Sequence, residues 1–80
     1  MRTHELRTWP SSVRAIRAGE KTRELRSESE IEVGDAIVLA AWNRPDETVT
    51  VSVVAIEPCP DATPESGYRV LTYALETVST

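Results

Sequence analysis

Hydrophobic and polar positions alternate over Thr3–Thr8, with His4 and Leu6 on one side and Glu5 and Arg7 on the other, which predicts a short strand. The period then changes. Pro10 suits the first position of a helix, where an N–H has no intrahelical partner, and Val13 and Ile16 stand three apart on an apolar face, so residues 10–18 are predicted helical. Arg14 and Arg17 repeat that spacing on a wetter face, and Gly19 supplies the left-handed stop. Lys21–Ser27 predicts a second strand with an uneven division: Thr22, Glu24 and Arg26 make one face wholly polar, while Arg23, Leu25 and Ser27 share the other.

Residues 27–32 read as a polar loop and Val33-Gly34-Asp35 as a turn into Ala36–Trp42, which is apolar on both faces and therefore the expected core strand. Asn43-Arg44-Pro45-Asp46-Glu47 is expected to turn the chain. Val49, Val51 and Val53 then point inward, until the alternation slips by one at Val53-Val54 and continues through Val54 and Ile56, the mark of a bulge or a sharp bend. Pro58, Pro60 and Pro64 predict an irregular loop up to Gly67, Tyr68–Leu75 a last strand, and residues 76–80 a frayed tail. Five short strands, one early amphipathic helix and no βαβ rhythm predict an α+β, mostly β fold: a small, mostly antiparallel barrel forming a single domain over residues 1–80, with a split sheet carrying the helix on one side as the alternative.

Eighty residues cannot enclose a large chamber, so any site is expected to be an open cleft. The lone Cys59 makes no internal disulfide, the charged Met1–Arg7 stretch is unlike a signal peptide, and no apolar run approaches a membrane span. These features predict a cytoplasmic protein. The net charge of −4 is unevenly placed. Residues 1–26 carry seven basic against three acidic side chains, +4, and residues 27–80 two against ten, −8. Such a balance disfavours sequence-independent duplex binding but leaves room for a local basic site. It also leaves room for an acidic surface that binds a basic protein.

The run Gly19-Glu20-Lys21-Thr22-Arg23-Glu24-Leu25-Arg26 has the form G-x-K-x-x-E-x-R after an amphipathic helix, and Val33-Gly34-Asp35 follows before an apolar strand. This order resembles the ASCH domains of the PUA-like superfamily. Thr3-His4-Glu5-Leu6-Arg7, Trp9-Pro10, Ala41-Trp42-Asn43 and Gly67-Tyr68-Arg69-Val70-Leu71 are similar, more narrowly, to a compact, uncharacterised ASCH-like family of bacteria and their phages. The resemblance implies a PUA-like pseudobarrel with a cleft between the helix end and the motif strand. Relatives of that superfamily bind RNA or modified nucleobases in such clefts, and some ASCH proteins remove an acyl group from N4 of cytidine or cut RNA.

Independently of that resemblance, Arg26 is a planar donor suited to phosphate or a base edge, Lys21 a mobile point charge, and Glu24 an acceptor for an amino group or an orienting partner for Arg26. A Glu24–Arg26 pair that merely closes the barrel is the alternative. Trp9 abuts the basic helix and is either a stacking face or a staple between strand and helix. The expected function is therefore a nucleotide- or single-stranded-RNA-binding module using Lys21, Thr22, Glu24, Arg26 and Trp9, with Arg14, Arg17 and Arg23 positioning phosphates. The enzyme alternative, an amidohydrolase or ribonuclease, would use Lys21 and Glu24. His4 is expected to be a hydrogen-bonded structural residue, and no pattern calls for a metal or cofactor.

Overall fold

A computed structural model describes residues 1–59 and 67–76. The chain runs β1 (Thr3–Thr8), α1 (Pro10–Arg17), β2 (Arg23–Arg26), β3 (Ala36–Ala41), β4 (Arg44–Pro58) and β5 (Arg69–Leu75). All five strands join one curled sheet in the order β1-β3-β4-β5-β2, giving a half-barrel of the small, mostly β kind. Neighbours pair antiparallel except β1 and β3, which run parallel. The strands at the two ends of this order, β1 and β2, are not hydrogen-bonded through their backbones, so the sheet curls without closing.

Packing explains each element. α1 has only eight residues, too few to persist alone in water, and is held by burying Val13 and Ile16 against β3 and β4. Its N-cap position is Trp9, in extended conformation with no side-chain cap, and Pro10 begins the helix. At the other end Gly19 turns left-handed at φ 77°, and the amides of Ala18 and Gly19 bond back to the carbonyls of Arg14 and Ile16. β3 lies between β1 and β4 with Ile37, Leu39 and Ala41 fully buried; Val49, Val51, Val53, Leu71 and Tyr73 complete the core.

The structure adjusts several boundaries. The tight turn falls on Trp42-Asn43, since Ala41 pairs with Arg44, and Pro45-Asp46-Glu47 form an irregular stretch within β4 before Thr48 pairs with Ala40. The expected turn over residues 43–47 is thus mostly bulged strand. The slip in alternation is a bulge at Val54, because Val53 pairs with Tyr73 and Ala55 with Thr72. Val54 itself is exposed and not inward, as the unpaired residue of a bulge is free to be. β2 is limited to Arg23–Arg26 and β5 begins at Arg69. Ile31, in the expected polar loop, is fully buried. The proline-rich loop across 60–66 and the tail from 77 lie outside the described residues; Glu76 still bonds through its amide to the Thr50 carbonyl.

His4 and Asp35 form a buried latch at the start of β1. A carboxylate only accepts, so His4 Nε2–H donates to Asp35 Oδ2 at 2.8 Å, and the amides of Arg2 and Glu32 donate to the same side chain at 3.1 Å. These donors, His4 foremost, hold the Asp35 carboxyl at about 2, below its ordinary 3.8. A depressed carboxyl stabilises the fold above its unfolded range and loses that contribution as pH falls toward the folded value. Asp35→Asn is therefore expected to lower stability at neutral pH, with the difference from the parent protein shrinking between about pH 4 and pH 2 in urea titrations. A difference constant across that window would contradict the latch.

Candidate functional site

The unclosed seam between β1 and β2 is where the polar face of β2 is found. In the antiparallel pairing with β5, Arg23 and Leu25 turn their side chains outward while Glu24 is buried and Arg26 half-buried across the seam. Glu24 is ringed by donors. Thr8 Oγ1–H donates to Oε2 at 2.7 Å and Tyr73 Oη–H to Oε1 at 3.0 Å; Arg26 Nη1 lies 3.4 Å from Oε1 and Lys21 Nζ 3.8 Å from Oε2. Burial, reinforced by the negative charge of Glu24, pushes the Tyr73 hydroxyl far above its ordinary range, so it stays a donor.

Arg26 is held as tightly. Its Nε and Nη2 grip both oxygens of Glu28 at 3.0 and 2.7 Å, and Nη1 donates to the Arg7 carbonyl at 3.1 Å. The bidentate bond to Glu28 raises the Arg26 guanidinium above its usual value against the cost of burial, and lowers the Glu28 carboxyl. Two side-chain bridges, Thr8 to Glu24 and Arg26 to the Arg7 backbone, thus tie together strands that share no ladder.

Beside these bridges lies an open cleft of about 460 Å³ lined by Arg7, Thr8, Trp9, Ser12, Lys21, Glu24, Leu25, Arg26 and Trp42. Lys21 reaches it from the turn after α1, where its amide bonds to the Ala15 carbonyl, and its Nζ donates to Ser12 Oγ at 3.0 Å. The two tryptophans meet because β1 and β3 are parallel and in register. Thr8 pairs with Ala41, so the residues that follow, Trp9 and Trp42, leave the sheet side by side, with the Trp42 amide bonded to the Thr8 carbonyl. Their rings touch edge to face, centroids 6.0 Å apart at 88°, yet Trp9 is 66% and Trp42 54% exposed. Neither is spent stapling the core.

The chain matches a protein family over residues 3–73. It belongs to the family described as a domain of unknown function, DUF3850. No curated protein matches it. The DUF3850 match begins with β1 and ends at Tyr73, so it takes in every residue that lines the cleft and every donor to Glu24.

Of the side chains expected from sequence to form a site, the fold brings Trp9, Lys21, Glu24 and Arg26 together. Thr22, Arg23, Arg14 and Arg17 lie elsewhere. Thr22 is exposed and contributes its carbonyl to the Tyr73 amide; Arg23 is exposed on the outer face of β2. Arg14 pairs with Glu47 and Arg17 donates to the Thr48 carbonyl, so both decorate the flank where α1 meets β4. Sequence reasoning missed Thr8, Ser12, Arg7 and Tyr73 as lining or supporting residues, and Glu28 as the partner of Arg26. The alternation of β1 already put Thr8 on the inner face with His4 and Leu6, and Ser12 stands four before Ile16 at the edge of the helix's apolar face. Among the described residues no three His, Cys, Asp or Glu side chains are grouped to hold a metal, and no helix is long and apolar enough to cross a membrane.

The division of labour is measurable. Glu24→Ala leaves the Thr8 and Tyr73 hydroxyls without their acceptor, removes the carboxylate that faces Arg26 and Lys21 and opens a void in the seam, and is expected to cost about 3 kcal/mol or more. Trp9→Ala removes a mostly exposed ring and is expected to cost under about 1 kcal/mol. Chemical denaturation followed by circular dichroism checks both, and equal costs would mean that Trp9 belongs to the core.

Proposed function

We propose that this protein is a PUA-like module of the ASCH type that binds a nucleotide, or a base of single-stranded RNA, in the seam cleft. The observation that carries the reading is the convergence of two exposed tryptophans with the Lys21 ammonium in one concavity, although the chain as a whole is acidic. An aromatic face offers stacking to any base, and the cation offers a contact to phosphate or to a base carbonyl. Arg26 is matched by the bidentate Glu28 carboxylate, so the cation that the cleft offers a ligand is chiefly Lys21. Glu24 and Arg26 act mainly as the rigid floor, since most of their hydrogen-bonding capacity is committed within the protein.

Hydrolysis of an acyl group from N4 of a cytosine is the second reading. It is favoured by Lys21 standing 3.0 Å from the Ser12 hydroxyl and 3.8 Å from Glu24. A general base, however, needs a freely presented acceptor within reach of the proton it takes, and Glu24 is buried and already accepts from Thr8, Tyr73 and Arg26. Binding without turnover is the better-supported function.

Titration with nucleoside monophosphates and short RNAs, followed by tryptophan fluorescence, tests this. Quenching at tens of micromolar is expected, weakened about tenfold by Lys21→Ala and further by Trp9→Ala. No response to any member of the panel would overturn the reading. Chromatographic detection of deacylated product, abolished in Lys21→Ala, would establish the hydrolase instead.

A further inference from the structure

Among the described residues, the basic side chains around α1 and β2 form no path along which a polyanion could run. Arg14 pairs with Glu47 and Arg17 donates to the Thr48 carbonyl, both on the α1–β4 flank, and Arg23 is exposed on the outer face of β2. In the cleft, Arg26 is matched by Glu28 and also donates to the Arg7 carbonyl. Lys21 differs from these. Its Nζ donates to Ser12 Oγ at 3.0 Å, and Ser12 is itself buried. One of the three N–H bonds thus anchors the ammonium, and protons remain for a phosphate oxygen. Arg7, which is exposed, borders the same cleft.

Carboxylates accompany each of these cations. Glu20 is exposed and adjoins Lys21, Glu28 grips Arg26 with both oxygens, and Glu5 shares the outer face of β1 with Arg7. A strand continuing beyond the cleft past any of them would bring its phosphates against negative charge, on a chain whose net charge is already −4. The anionic part of a ligand is therefore met at one place.

The tryptophans impose a similar limit. Surfaces that follow a single strand offer aromatic faces on which successive bases stack. Trp9 and Trp42 instead stand at 88°, centroids 6.0 Å apart. A base lying flat on one ring meets the other with its edge, so the pair makes a corner for one planar ring and not a platform for two. The cleft, about 460 Å³, is also within the size range of small-ligand sites.

We propose that the cleft takes a single nucleotide unit, one base in the tryptophan corner and one phosphate on Lys21, and does not track the backbone of an RNA strand. The inference rests on the nucleotide reading above and narrows it to the class of nucleotide ligand. A free nucleoside monophosphate and the terminal nucleotide of a strand share this chemistry, and ligand length separates them.

The test is a tryptophan-fluorescence titration of the whole chain with uridine, UMP and uridine oligonucleotides four and eight residues long, at several salt concentrations. UMP is expected to bind about tenfold more tightly than uridine, and Lys21→Ala to bring the two together. The octanucleotide is expected to bind no more than about threefold more tightly than UMP, with a slope of log Kd against log salt near about 0.7, the value for one phosphate of a single strand. The triple variant Arg14→Ala, Arg17→Ala, Arg23→Ala is expected to keep octanucleotide affinity within about twofold. Oligonucleotides equal to UMP would support a strand end as the natural source of the unit; oligonucleotides weaker than UMP would support a free nucleotide. A gain of about tenfold or more from UMP to the octanucleotide, a slope of about 2 or more, or a loss of about tenfold in the triple variant would reveal a backbone track. Any of these would overturn the single-unit proposal and leave nucleotide binding standing. Equal binding of uridine and UMP would overturn the phosphate contact and the proposal with it. Absence of any binding would remove both the proposal and the nucleotide reading. Should the triple variant fail to fold, the length series and the salt slope in the parent protein still decide.

Discussion

The bridge between Glu24 and its donors governs this molecule, because it joins two strands that the backbone leaves apart. β1 and β2 end the strand order of a curled sheet, and without a ladder between them the half-barrel would present two open edges. Thr8 on β1 and Tyr73 on β5 both give a proton to Glu24 on β2, and Arg26 reaches across to the Arg7 carbonyl. Side chains thus do at the seam what main-chain bonds do elsewhere. A buried carboxylate and guanidinium are expensive to desolvate, and such an arrangement persists where it is fully satisfied. Here Glu28 completes it from the surface side by gripping Arg26 with both oxygens.

The same constraint creates the cleft. A seam bridged by side chains is wider than one closed by a ladder, and the space beside the bridges opens to solvent between α1, β2 and the ends of β1 and β3. The parallel pairing of β1 with β3 then supplies its wall. Because the strands are in register, the residues immediately after each one are neighbours, and both are tryptophan. Exposed aromatic rings are costly in a small chain unless something covers them part of the time, and their position next to Lys21 gives that cost a purpose in the binding reading.

Much of the fold was legible because its cues are local and periodic. Pro10, the Val13–Ile16 spacing and Gly19 delimit α1 without reference to the rest of the chain, and the double-faced apolarity of Ala36–Ala41 marks a central strand. The bulge at Val54 is visible as a slip in alternation. A hydrogen-bonded, structural His4 was expected from its place in the first strand, but its partner Asp35 and the burial of Ile31 were not legible, since they depend on which loop folds over the start of β1. At the site, the G-x-K-x-x-E-x-R run located Lys21, Glu24 and Arg26, but charge clustering along the sequence also drew in Arg14, Arg17 and Arg23, which the helix and the outer face of β2 carry away from the cleft. Tyr73 is separated from Glu24 by 49 positions and joins it only through the β2–β5 pairing, a relation no linear motif contains.

The central claim is that the seam between β1 and β2 is both the structural tie of the half-barrel and the place where a ligand sits. Backbone amide NMR during titration with a uridine tetranucleotide tests it most directly. The account predicts shifts confined to residues 7–9, 12, 21–26 and 42, with the α1–β4 flank around Arg14, Arg17 and Glu47 unmoved. Shifts centred on that flank or on the outer face of β4, with the seam residues silent, would contradict it.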